Sequence, residues 1–285
     1  MKKLLILSGK GGTGKTTTAA ALIRFSKAKA IADCDVDAPN LHLVTAQTGN
    51  PEVTQFLGGE KAEIDPCKCT GCGLCQSHCR FDAIWEKDGT YAVNEYACEG
   101  CGVCEYVCPQ GAVKLMKDAA GRKELYRSDS VFSTATLKMG RGNSGKLVTE
   151  VKMAMQKYAP ETELAIIDGS PGIGCPVIAS VSGADLVLVV AEPSLSGFSD
   201  LERLVKTAEM LRTKLAVCVN KWDVSPEYTE KIQLFCAERK ISFAGKIPYD
   251  KKASEAINAG MSIADLDCPA RNALESIYET IMKLF

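Results

Sequence analysis

Short runs of apolar residues recur along the chain at 3–8, 29–33, 164–168, 186–190 and 215–219, each nearly continuous in Leu, Ile, Val and Ala. Continuous runs, as opposed to alternating ones, are what strands buried on both faces of a parallel sheet require. Elsewhere the apolar positions take helical spacing, which predicts helices over 15–25, 144–157, 199–211, 226–239 and 270–284. Strand and helix in alternation predict an α/β fold with a doubly wound, mostly parallel sheet.

One stretch breaks the alternation. Over residues 62–117 the chain is rich in cysteine and glycine and shows no long helical period. It also repeats itself: Cys69-Thr-Gly-Cys72-Gly-Leu-Cys75 with Cys79 recurs as Cys98-Glu-Gly-Cys101-Gly-Val-Cys104 with Cys108. The tails match too, Asp82-Ala-Ile84 answering Gly111-Ala-Val113. A duplication of this kind marks a separate small module. Residues 62–117 are therefore expected to be an α+β insertion into a discontinuous domain formed by 1–61 and 118–285.

Composition adds limits. With 285 residues, 46% of them apolar, there is material for a large core and a small satellite. A net charge of −1 gives no reason to expect nucleic acid or an anionic membrane as partner. Of 14 cysteines, eight lie in the two tracts, Cys67 just precedes them, and five are scattered singly. The first apolar run meets a glycine-rich loop too soon for a signal peptide, and no run approaches a membrane span. With oxygen-sensitive metal tracts, the expected location is the cytoplasm. The last helix groups Leu274, Ile277, Tyr278 and Ile281 on one face and carries Glu275 and Glu279, a pattern for core packing and against membrane binding.

Two constellations carry chemistry. Gly9-Lys10-Gly11-Gly12-Thr13-Gly14-Lys15-Thr16, followed by Thr17, leaves the first strand and opens the first helix, as a G-x-x-x-x-G-K-[ST] phosphate loop must. Its glycines let amides converge on phosphate, Lys15 reaches the β- and γ-phosphates, and Thr16 binds Mg²⁺. The second constellation is the cysteine frame. Each tract reads C-x₂-C-x₂-C-x₃-C, and Cys108 is followed by Pro109. In this bacterial ferredoxin pattern the fourth cysteine serves the other cluster. Cys69, Cys72, Cys75 and Cys108 are thus assigned to one [4Fe–4S] cluster, and Cys79, Cys98, Cys101 and Cys104 to a second. Zinc is the rival occupant. Arg80 stands where a proline follows the other tract, and His78 and Cys67 read as bystanders.

The early lysine of the phosphate loop, Lys10, resembles that of the MinD/ParA family of P-loop ATPases, which includes the nitrogenase iron protein. The resemblance runs essentially end to end, to members of that superfamily with an inserted ferredoxin domain. It implies a homodimer on ATP binding, in which Lys10 reaches the partner's nucleotide. It further implies that Asp35 orients the attacking water, that Asp33 and Asp168 are Mg²⁺-side carboxylates, and that Gly172 senses the γ-phosphate. By the same resemblance Asn220 contacts adenine, with Asp223, Pro248 and Tyr249 around it. Asn220-Lys-Trp-Asp223 also fits the guanine motif N-K-x-D, so GTP stays open at this point. The glycine-rich loop at 140–146 offers Arg141 and Lys146 to a phosphate across the dimer. Cys175, beyond Asp168, matches a cluster-ligand spacing in the iron protein but lacks a second cysteine, Asn143 standing at that place.

The expected function is an ATPase coupling nucleotide binding and hydrolysis to electron transfer through two [4Fe–4S] clusters toward a redox or cofactor-assembly partner. Two alternatives are an iron–sulfur cluster or metallocofactor carrier, and a positioning ATPase whose clusters sense redox state.

Overall fold

The computed structural model describes residues 1–45, 47, 49–159 and 161–285. The chain opens with β1 (Lys2–Leu7), α1 (Lys15–Ser26) and β2 (Ala30–Asp33), then runs through the long strand β3 (Glu52–Ile64). The cysteine-rich part carries α2 (Leu74–Ser77), β4 (Ile84–Lys87), β5 (Thr90–Val93) and α3 (Val103–Val107), and leaves through β6 (Val113–Arg127). There follow β7 (Val131–Leu137), α4 (Ser144–Tyr158), β8 (Leu164–Asp168), α5 (Cys175–Val181), β9 (Leu186–Ala191) and α6 (Leu195–Met210). The chain closes with β10 (Lys214–Asn220), α7 (Pro226–Glu238), β11 (Ser242–Ile247), α8 (Lys251–Asn258) and α9 (Pro269–Met282).

The main sheet has the order β11-β10-β9-β1-β8-β2-β7-β6-β3. Pairings from β11 to β7 are parallel, and β4 and β5 form a separate antiparallel hairpin. The α/β class and the parallel central strands agree with the sequence pattern, because β1, β8, β9 and β10 are buried on both faces. Register matters most at β2 and β8, where Asp33 pairs with Asp168. Two acids therefore end neighbouring strands side by side, at the carboxyl edge where open α/β sheets hold their ligands.

Several elements carry no continuous apolar run. β7 includes the buried Ser133 and Thr134, β11 buries only Ala244 and Ile247, and β3 and β6 are largely polar. These strands form because the sheet supplies their partners, an effect local propensity does not report.

The chain divides into two compact units. One comprises Met1–Thr54, Lys123–Thr136 and Ser144–Phe285, the other Gln55–Arg122 and Leu137–Asn143. The segment 62–117 lies inside the second, and β3 and β6 each run from one unit into the other. In the first unit α9 buries Leu274, Ile277 and Ile281, with Tyr278 packed at the edge of the same core. No helix among the described residues is long and apolar enough to cross a membrane. The second unit has a core cluster of Ala62, Cys75, Ala83, Ile84, Cys98, Cys104 and Val113. So small a core, with cysteines in place of large apolar side chains, is typical of units stapled by metal or disulfide.

Lys152 of α4 is buried and turns its ammonium onto α5. It donates to the carbonyls of Ala179 at 2.9 Å, Ser180 at 2.6 Å and Ser182 at 2.6 Å. Burial pulls its pKa below the usual lysine range, and the carbonyl oxygens compensate by closing the last turn of α5. Lys152→Met keeps the alkyl bulk but leaves these carbonyls without their donor. It is expected to lower unfolding stability by about 1–3 kcal/mol, read as a lower denaturant midpoint at unchanged slope.

Candidate functional site

The phosphate loop occupies the turn between β1 and α1. Gly14 precedes the helix with φ +91°, and a Cβ there would lie 2.2 Å from Asn220 Nδ2, so only glycine fits. Lys15 opens α1 almost fully buried, its Nζ 2.5 Å from Asp168 Oδ1 and 3.7 Å from Asp35 Oδ2. Thr16 Oγ1 donates to the other oxygen of Asp168 at 2.7 Å. Burial works against the charge on Lys15, but Asp168, joined by Asp35 and Asp33, holds its pKa above the usual range. The lysine, the hydroxyl and the acid that phosphate and Mg²⁺ require thus meet at one point. The Thr13 hydroxyl, in the same loop, is buried with no hydrogen-bond partner among the described residues, a donor that a phosphate oxygen would satisfy.

Asp33 is fully buried and serves a different geometry. Its Oδ1 accepts from the Asp35 amide at 3.1 Å, and its Oδ2 accepts from the amides of Asn40 at 3.1 Å and Leu41 at 3.0 Å. Burial, then the neighbouring Asp168, push its pKa up to about 7 against the pull of those amides. The carboxyl braces the loop on which Asp35 stands. Asp35 itself is partly buried, and burial raises its pKa although Lys15 pulls the other way. On the other side of the site Gly172, at φ +95°, donates its amide to Ser8 O at 3.0 Å.

Lys10 is partly exposed, with its Nζ 2.5 Å from Glu192 Oε2 and 3.1 Å from Ser196 Oγ. Sequence reasoning did not single out either partner, because nothing in the strand-to-helix turn after β9 marks them.

The base side of the site is a cavity of about 870 Å³ of empty space, lined by Gly12, Gly14, Thr17, Asn220, Pro248 and Tyr249. Asn220 Nδ2 donates to Thr13 O at 2.8 Å, tying this loop to the phosphate loop. Asp223 is not on the cavity wall; its Oδ1 accepts from the Tyr249 amide at 2.8 Å and so fixes the tyrosine that is. Ser254 and Ile257 of α8 also line the cavity, and that short helix has too few apolar positions to show in the sequence.

In the second unit the cysteines form two groups. Cys69, Cys72, Cys75 and Cys108 line one small cavity. Cys79, Cys98, Cys101 and Cys104 line another. Each group takes three cysteines from one repeat and the fourth from the other. Backbone amides point at the sulfurs: Ala62 and Gly100 onto Cys98 Sγ, each at 3.4 Å, and Ala112 onto Cys108 Sγ at 3.3 Å. Among the described residues no three His, Cys, Asp or Glu side chains converge as a single metal ion would require. His78 and Cys67 are exposed, and neither lines a sulfur cavity.

Arg141 lies within this unit. It donates to Glu95 O at 3.0 Å, pairs with the carboxylates of Glu95 and Asp118, and stacks 5.2 Å from the Tyr96 ring. Asn143 donates to Gly58 O at 2.8 Å, so the glycine-rich loop is anchored by its side chains. Cys175 is exposed at the start of α5, where the backbone of Gly145 approaches it.

A glycine-rich loop leading from β1 into α1, with an acid at the end of the adjacent parallel strand β8 and a base cavity beside it, defines a P-loop ATPase. The family model described as the CobQ/CobB/MinD/ParA nucleotide binding domain matches residues 4–263, and the chain belongs to that family. An uncharacterized protein of Methanocaldococcus jannaschii is 33% identical over 98% of this chain and 96% of its own length. The iron-sulfur cluster carrier protein of the same organism is 24% identical, with 99% of this chain and 84% of that protein covered. Among solved structures, the septum site-determining protein MinD of Pyrococcus horikoshii, complexed with Mg-ADP, superposes with a TM-score of 0.60 at 16% identity. That match covers 99% of this chain and 96% of the other. The structural likeness establishes the fold.

Asp223→Ala is expected to release the Tyr249 amide from its charged acceptor. The cost of about 1.5–3 kcal/mol falls on the cavity wall, so ATP affinity measured by calorimetry drops about tenfold or more while helix content stays the same.

Proposed function

We propose that this chain acts as a homodimeric ATPase that couples ATP binding and hydrolysis to electron transfer through two [4Fe–4S] clusters, toward a redox protein partner. The observation that carries the reading is the sorting of eight cysteines into two separate four-sulfur cavities in a unit inserted between Asp35 and Asp168.

The donor set fits the group. A zinc ion gathers four sulfurs within about 2.3 Å of one atom, whereas here the sulfurs surround a cavity. A cubane takes one thiolate per iron, so four cysteines suit one cluster, and amides aimed at sulfur stabilise its negative charge. Cys69, Cys72, Cys75 and Cys108 would hold one cluster, and Cys79, Cys98, Cys101 and Cys104 the other. When bound, each supplies a centre that takes up and gives back one electron.

The residues of the ATPase unit do the gating. Amides of residues 11–17 and Lys15 hold the phosphates, Thr16 and Asp168 hold Mg²⁺, and Asp35 orients water from a loop braced by Asp33. For Gly172 to donate to a terminal phosphate, its amide has to leave Ser8 O. That exchange moves the turn ahead of α5, which Lys152 locks to α4. By family resemblance Lys10 leaves Glu192 and crosses to the partner's nucleotide. Adenine suits the base cavity, because Asp223, the acid that would read guanine, is engaged with Tyr249.

The curated relatives that are iron-sulfur cluster carrier proteins favour a second reading, in which the clusters are cargo. All eight frame cysteines line the two cavities, and the sequence outside them has no spare C-x-x-C pair.

One experiment separates the readings. Anaerobically reconstituted, pre-reduced protein is mixed with a one-electron viologen acceptor in MgATP or MgADP, and iron is counted before and after. The expected result is several-fold faster transfer in MgATP, lost in Lys10→Ala, with iron retained throughout. Equal rates in both nucleotides contradict the proposal, and ATP-dependent passage of iron to an added apo-ferredoxin replaces it with the carrier reading.

A further inference from the structure

The duplication supplies an internal control for the surroundings of each cluster. The repeats are offset by 29 residues, as Cys69 to Cys98 shows. The backbone obeys the same offset. A Cβ on Gly71 would lie 2.6 Å from Gly89 O, and a Cβ on Gly100 would lie 2.1 Å from Glu60 O. Gly71 corresponds to Gly100, and Glu60 to Gly89, so the strand ahead of one tract packs on the loop of the other in both halves. The residue after Glu60 is Lys61, and its counterpart after Gly89 is Thr90.

Lys61 is half-buried, and its ammonium donates to the main-chain carbonyl of Cys98, the first cysteine of the second tract. The neighbouring amide, that of Ala62, donates to Cys98 Sγ. Thr90 is neutral, and its hydroxyl is turned onto Lys87 O at 3.0 Å. One half of the pseudo-symmetric unit thus has a cation on the peptide of a cluster ligand where the other has none.

Other charges at the two sites offset one another. Arg80 and Glu99, next to Cys79 and Cys98, are exposed and opposite in sign, and water screens both. Lys68, next to Cys69, is exposed and paired with Asp65 at 3.1 Å. Arg141 is matched by Glu95 and Asp118. Glu105, next to Cys104, is paired with Lys114 at 3.3 Å. Lys61 is then a half-buried cation bonded to the peptide of a cluster ligand, with the neutral Thr90 as its counterpart.

Resting on the reading that the unit holds two [4Fe–4S] clusters, we infer that Lys61 is a positioning residue for electrons. Through the Cys98 carbonyl it makes the cluster held by Cys79, Cys98, Cys101 and Cys104 the more easily reduced of the two. One-electron reduction adds one negative charge and breaks no bond, and a nearby half-buried cation stabilises the reduced form. The electron therefore rests at this cluster, and transfer within the unit has a direction.

The test is an anaerobic redox titration of the full chain by electron paramagnetic resonance, with iron determination on each sample. Wild type is expected to hold about eight irons and to show two separable midpoints. Lys61→Met lowers one midpoint by about 59 mV, a tenfold fall in that reduction equilibrium, and leaves the other in place. Lys61→Arg keeps the charge and stays near wild type, whereas Thr90→Lys raises the other midpoint and narrows the gap. Unmoved midpoints in a fully iron-loaded Lys61→Met protein overturn the inference; if that variant loses iron, the Thr90→Lys midpoint decides. Wild type that takes up no [4Fe–4S] clusters instead removes the reading beneath it.

Discussion

Asp168 ends β8 fully buried, paired in register with Asp33, and its carboxylate is shared by Lys15 and Thr16. Two adjacent buried acids would repel strongly without compensation. The lysine compensates at Asp168, and three backbone amides with a raised pKa compensate at Asp33. The phosphate loop is thereby held against the sheet edge, and the loop carrying Asp35 is held against Asp33. Parallel register is the constraint beneath all of this. A slip between β2 and β8 would separate the acids, and a slip between β1 and β8 would leave Lys15 buried without its partner.

The second unit follows a different constraint. Its core is built around cysteines and a few small apolar residues, which bury little apolar surface. The close approaches of Gly71 to Gly89 O and of Gly100 to Glu60 O explain why glycine recurs at both places.

The sequence made the central strands, the phosphate loop, Asp168 and the cysteine frame legible, because each has a local pattern. Buried strands are continuous in apolar residues, and the glycines and the cysteines each recur at fixed short spacings. It left β7, β11 and the full lengths of β3 and β6 unread, since those strands depend on neighbours distant in the chain. It could not show that the Asp33 oxygens are occupied by the amides of Asp35, Asn40 and Leu41, nor that Asp223 fixes Tyr249. Arg141 carries the same lesson. Its place in a basic glycine loop suggested a phosphate, and its contacts in the structure are Glu95, Asp118 and Tyr96.

The central claim is that the nucleotide site and the cysteine unit share free energy. Linkage requires any such coupling to be reciprocal, so it can be read at the nucleotide. The direct measurement is the affinity of anaerobic, cluster-loaded protein for a non-hydrolysable MgATP analogue, by calorimetry, in the oxidised and the fully reduced states. The account predicts affinities that differ by about fivefold or more, with the difference lost when Cys98 and Cys108 are replaced by Ser. Identical affinities in the two redox states would contradict it.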